Sequence, residues 1–406
     1  MRANPHLHIL LCLSLSLAAA EPLSLKMLVK PRNYGPCLTS LVGPPLSTEN
    51  CQEWNGNIDG APTFDPARRL IFVGAGDNYL HAIDADTGAS FAHIEAGGRV
   101  ITETIFDKSR TVFYVGTDKS HIKAYDAFSF KNLFSFQADS RINNDLILVG
   151  DKLVFSTGLA TVYALDALTG VEKWHQDRPL ASDRLKLSAQ SNTISLVEDS
   201  VNMLAVPHPD GFVSLLIADT GKTKRQLSLS PLSGAQVFFP DIVAPMLELD
   251  GSLWVASFGR GIFVFDIKSG QIKNHLILDE IQQLALNGNK IFAASSKALY
   301  RLNLDGSIVW QNNFQYLKTL PAKYGFPFTG MEYTTNRVFM GLPSRLIFFG
   351  DSVVMASSLG AIGLFDGDNG RLIQVLGNAL GFSPKISVSN DGVLLLTRFG
   401  TVAQFR

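Results

Sequence analysis

The chain has 406 residues, 46% of them hydrophobic and 17% charged, with 35 Lys and Arg against 36 Asp and Glu. A net charge of −1 gives no overall basic field to attract nucleic acid or an anionic lipid surface. The apolar content is ample for a large core between packed sheets, and no stretch keeps a helical period over four turns.

Residues 1–20 read as an export signal. Arg2 is a thin positive start, ILLCLSLSLAAA at 9–20 is the apolar stretch, and Ala18, Ala19 and Ala20 form a cleavage site before Glu21. The stretch is too short to span a bilayer and none later is long enough, so a soluble exported chain is expected. Cys12 follows Leu11 at the start of the apolar stretch, where a lipoprotein signal would need a small residue and a Cys at its end; lipid attachment is not expected there.

Residues 21–60 form a Pro-containing extension without the repeat found later. It holds Cys37 and Cys51. In an oxidising compartment a bridge between them would contribute roughly 3 kcal/mol; two unrelated thiols are the alternative. Neither has a second ligand at zinc spacing.

From 61 to 406 a seven-residue phrase recurs: AIDADTG at 82–88, AYDAFSF at 124–130, ALDALTG at 164–170, VFDIKSG at 264–270 and LFDGDNG at 364–370. LIADTG at 216–221 and RLNLDG at 301–306 are worn copies, and AQFR at 403–406 is a truncated one. The central position falls on Asp84, Asp126, Asp166, Ile217, Asp266, Asn303, Asp366 and Arg406. Intervals of roughly 37 to 63 residues mean radial or solenoidal repetition of one unit.

Before each phrase lies a β-branched and aromatic run, such as TVFYVG at 111–116 or SLWVASFG at 252–259. The two runs make a hairpin. After the phrase Thr-Gly or Ser-Gly closes a turn, in which the carboxylate can accept backbone N–H groups and Gly supplies the positive φ. A further strand such as VEKWH at 171–175, with a lead-in strand such as DLILVG at 145–150, completes four strands per repeat. The expected fold is therefore all-β: an eight-bladed β-propeller of four-stranded antiparallel blades. The chain stops where a third strand should finish, so a strand from the N-terminal extension, near 37–43, is expected to close the ring.

Little in the sequence signals chemistry. His81, His93, His121, His175, His208 and His275 read as scattered over different blades, with no HxH, HExxH or Cys-x-x-Cys cluster. No GxSxG elbow or P-loop is present, and GAGDN at 74–78 reads as a hairpin turn. The repeating Asp84, Asp126, Asp166, Asp266 and Asp366 are assigned to turn structure. No catalytic, cofactor or metal residues are expected.

The A-x-D-x-x-T-G phrase, with Trp174 four residues after Gly170, resembles the repeat of pyrroloquinoline-quinone-type propellers. Over nearly the whole exported chain the sequence is most similar to the BamB family, the propeller subunits of the bacterial outer-membrane β-barrel assembly machinery. DIVAPMLELDGSLWVASFGRGIFVFDIKSGQI at 241–272, ALYRLNLDGSIVWQ at 298–311, SPKISVSNDGVLLLTRFGTVAQF at 383–405 and RLKLSAQSNTIS at 184–195 carry the resemblance. It implies a non-catalytic scaffold in the periplasm, at the inner face of the outer membrane. The implied partners are a β-barrel assembly protein and unfolded outer-membrane proteins, with membrane association through the partner only. It places docking on Leu185 and Leu187, with Asp241 at an acidic position. Ser188 stands where the family has Arg, Arg184 is close enough to substitute, and Val243 replaces a second acid.

A long interval before Asp366 leaves an insertion at about 315–342, rich in aromatics such as Tyr316, Tyr324, Phe326 and Phe328. It reads as a loop projecting from the rim or as a lid over the propeller mouth. The competing function is an exported propeller that binds a polymer or small ligand. A quinone-dependent dehydrogenase is less favoured, because Trp occurs only at 54, 174, 254 and 310 and no Cys-Cys pair exists.

Overall fold

The computed structural model describes residues 25–31, 51–54, 61–143, 145–178, 191–229, 241–278, 280–314, 342–358, 361–377, 386–389, 392–396 and 402–405. Among them there is no α-helix, and the strands form eight sheets. Seven sheets contain four antiparallel strands taken in chain order, giving blades over 63–95, 105–137, 147–176, 194–228, 247–276, 281–313 and 347–377. The eighth combines Ser387–Ser389, Gly392–Leu396 and Val402–Phe405 with Leu25–Pro31 and Cys51–Trp54. The molecule is an eight-bladed β-propeller.

Period-2 alternation produces this arrangement, because each blade must bury both faces. In the strand Lys152–Ser156, Leu153 and Phe155 join a buried cluster with Tyr114 and Ile122 of the second blade. Val154, between them, faces the other way and packs with Leu204, Val206 and Leu216 of the fourth. The same division recurs in the fifth blade, where Leu253 and Val255 face the fourth blade and Trp254 and Ala256 face the sixth. Full burial of an aromatic such as Phe155 contributes on the order of 1.5–3 kcal/mol.

A second contact joins neighbouring blades at their outer edges. The ring of Phe134 lies against Gly170 of the next blade, Trp174 against Gly221, and Trp310 against Gly370. Trp174 and Trp310 also donate their indole N–H groups to Ala218 and Gly367 carbonyls at 3.0 and 3.1 Å. Where the ring is absent, Arg225 reaches the Ile267 carbonyl at 2.7 Å over Gly270. Between the first and second blades the sizes are exchanged: Ala92 stands at the aromatic position and Phe130 at the glycine position, with φ of 57°.

The expectation that 37–43 completes the last blade is corrected. Leu25–Pro31 takes that place, antiparallel to Val402–Phe405 with Val29 opposite Val402. The run LKMLVKP places Leu25, Met27, Leu28 and Val29 with only Lys26 and Lys30 charged, a short apolar stretch of strand length. Cys51–Trp54 adds a fifth, parallel strand, where four had been expected. Leu394 and Val402 share a buried cluster with Phe64, Ile71 and Val73 of the first blade. Residues 37–43, Cys37 included, lie outside the described residues, so the pairing of Cys37 with Cys51 is not described.

Candidate partner-docking end of the propeller

Antiparallel order puts the turns that carry the repeated Asp at one end of the sheets and the connections between blades at the other. In the Asp turns, Asp84 Oδ1 accepts the N–H groups of Asp86 and Thr87 and the Thr87 hydroxyl, at 2.7–3.0 Å. Asp126 does the same with Phe128 and Ser129, and Asp166 with Leu168 and Thr169. Asp266 accepts the Ser269 N–H, and Asp366 the N–H groups of Asp368 and Asn369. Lys173 adds an ion pair to Asp166 at 2.9 Å. The Lys173 contact and the Thr169 N–H hold the Asp166 carboxyl far below its ordinary 3.8. The worn copy at Ile217 keeps the turn through the Gly221 N–H to the Ile217 carbonyl, 2.9 Å, without a carboxylate.

At the opposite end the described chain stops at Arg178, Leu229 and Phe314 and resumes at Ser191, Asp241 and Leu342; residues 179–190, 230–240 and 315–341, with Arg184, Leu185, Leu187 and Ser188 among them, lie outside the described residues. Their anchors are described. Arg178, just before the first, pairs with Asp210 at 2.7 Å and lies over the Phe212 ring, 5.1 Å from its centroid. Asp241, just after the second, is 0% exposed, and its carbonyl accepts the Phe258 N–H at 3.0 Å. Next to it the Ile242 carbonyl takes the Ser191 N–H at 2.9 Å, tying the two connections together. Leu159, Ile277 and Leu342 are exposed at this end.

Polar residues missed by the sequence reading meet at the same end. Arg345, ahead of the seventh blade, binds Glu103 of the second through both guanidinium nitrogens, at 2.6 and 3.3 Å. It also lies 3.7 Å from Asp145 of the third blade, which in turn accepts the Asn192 amide of the fourth at 2.9 Å. Burial opposes the charge on Arg345, but the Glu103 and Asp145 carboxylates outweigh it and raise the pKa. Partners up to 242 residues apart gave no local signal. A register signal did exist: Glu103, Asp145, Asn192 and Arg345 each stand two residues before the isoleucine that begins or leads the innermost strand of their blade.

A cavity of about 140 Å³ between the third and fourth blades is lined by Val162, Arg178, His208, Ser214 and Leu216 among others. His208 Nε2 is 2.9 Å from the Ser214 hydroxyl. Burial, aided by the nearby Arg178 charge, pushes its pKa down to about 4. This volume is below the roughly 300–1,000 Å³ of small-molecule sites. The histidines are not all scattered: His81 and His93 face each other on one blade. Among the described residues, no three His, Cys, Asp or Glu side chains converge on a metal position.

The profile of the outer membrane protein assembly factor BamB matches residues 77–312. The chain belongs to the BamB family. Its fold is similar to that of BamB from Moraxella catarrhalis, with a TM-score of 0.68 at 15% identity, covering 86% of this chain and 96% of that one. The computationally designed Ika8 protein is similar at a TM-score of 0.62 and 16% identity, and Saccharomyces cerevisiae Sqt1 at 0.64 and 12%, each with the same coverage. These likenesses concern the fold alone. No curated protein matches the sequence.

Proposed function

We propose that this BamB-like propeller is a non-catalytic scaffold of the bacterial envelope that docks a β-barrel assembly partner and aids insertion of outer-membrane barrels. The family match over 77–312 carries this reading. The docking surface is assigned to the end bearing the blade connections, with Leu185 and Leu187 as apolar anchors and Arg184 as the guanidinium beside them. Exposed Leu159, on the third blade, extends that apolar surface. Asp241 is 0% exposed and so does not meet a partner in water; its backbone carbonyl holds the Phe258 N–H beneath that surface. The chain is exported, remains in the periplasm and reaches the outer membrane through its partner.

Crosslinking in envelope fractions tests this reading. Replacing Leu185 and Leu187 with Asp should remove the crosslinked barrel assembly protein, since central apolar anchors are worth about 2 kcal/mol or more each. A folded double variant that captures the partner at wild-type level refutes the docking assignment and moves it to 315–341.

A further inference from the structure

We propose that His81 and His93 form a two-imidazole site for a divalent transition-metal ion, with copper(II) the tightest binder. The two residues stand directly opposite each other on the adjacent strands Tyr79–Asp84 and Ser90–Glu95 of the first blade. Directly opposed residues project from the same face of a sheet. Their Nδ1 atoms approach to 2.7 Å, with the rings edge to face at 86°.

The remaining ring nitrogens are held by oxygen. His81 Nε2 contacts both carboxylate oxygens of Asp77, at 3.0 and 3.2 Å, and His93 Nε2 contacts the Ser90 hydroxyl at 3.1 Å. An ionised carboxylate only accepts, so His81 carries its proton on Nε2 and directs the Nδ1 lone pair at His93. A carboxylate behind an imidazole is the usual support of a metal-ligating histidine. Ser90 can accept as well as donate, so His93 is able to take the same tautomer and turn its own Nδ1 lone pair inward. Without an ion, His93 donates its Nδ1 proton to the His81 Nδ1 lone pair; in the other tautomer both Nδ1 lone pairs are available to a cation.

Burial also suits the site. His81 is 3% exposed, and Asp77 holds its ring from behind through Nε2. His93 is exposed, so an ion reaches the pair from solvent. Bonds of about 2.0–2.1 Å to each nitrogen need the pair to open by a few tenths of an ångström, which the exposed ring can supply. With no third such ligand among the described residues, water completes the coordination, and the order of divalent affinities favours copper(II) over zinc(II).

Titrating the full chain with copper(II), by calorimetry and by electron paramagnetic resonance with nitrogen couplings, tests the site. The expected result is one ion at this pair. His93→Gln should bind at least tenfold more weakly and lose the two-nitrogen pattern. Asp77→Asn should weaken binding about tenfold through the orientation of His81, while His121→Gln, on the second blade, leaves this ion in place. His93 is exposed, so its replacement leaves the fold intact for the comparison. Unchanged affinity in His93→Gln, no binding by the wild type, or binding abolished by His121→Gln overturns the proposal.

Discussion

Trp174 donates its indole N–H to the carbonyl of Ala218 at 3.0 Å, and the same ring covers Gly221 three residues later. The glycine has a φ of 70°, and a Cβ there would come within 2.5 Å of the ring. One side chain thus joins the outer edge of the third blade to the turn of the fourth. Trp174→Ala should cost about 3 kcal/mol in denaturant unfolding, from lost ring burial and an unpaired carbonyl. Gly221→Ala should also destabilise, by clash and backbone strain together. Because the two changes act on one contact, the double variant should lose less than their sum.

Low pH should weaken the Asp166 turn. The Asp166 pKa is depressed in the folded chain below the ordinary 3.8 by Lys173 and the Thr169 donors. The depressed value means its contribution is present above pH 3.8 and is lost as pH falls through the folded pKa. Asp166→Asn should therefore be less stable than wild type at pH 7, with the gap narrowing below pH 3.8. A gap independent of pH would contradict this account.

His208 acts over a different range. Its folded pKa of about 4 lies below the ordinary 6.5, so between those values the unfolded chain binds more protons. Stability should then fall as pH drops from 6.5 towards 4, by about 3 kcal/mol in total for this group. His208→Gln should show a shallower slope across that window in pH-dependent denaturant unfolding.

Removing residues 1–54 should expose the edge of the strand Val402–Phe405, which Leu25–Pro31 otherwise covers. An uncovered edge pairs with other chains. Light scattering should report concentration-dependent association of the truncated chain, and the intact chain should show none under the same conditions.

Several features were legible in the residues because they are local. Five Asp-centred phrases and their worn copies specify hairpins and turns, since a carboxylate reaches the N–H groups two and three positions ahead whatever surrounds it. Repetition at a regular interval specified the propeller, because one sheet cannot bury both faces without a neighbour on each side. The strand that completes the last blade was misplaced, since CLTSLVG and LKMLVKP are both plausible strands and only pairing with Val402–Phe405 selects the second.

The repeat, the blade and the turn carboxylates are readable along the chain, because each is set by interactions within a few residues. Tertiary structure alone decided that Trp174 serves Gly221 rather than its own turn, that Arg345 meets Glu103 from 242 residues away, and that Asp241 is buried. It also decided that His81 and His93 stand face to face. Those relations depend on register between strands and on the packing that brings distant blades together, and spacing along the chain marks a position in a blade without naming its partner.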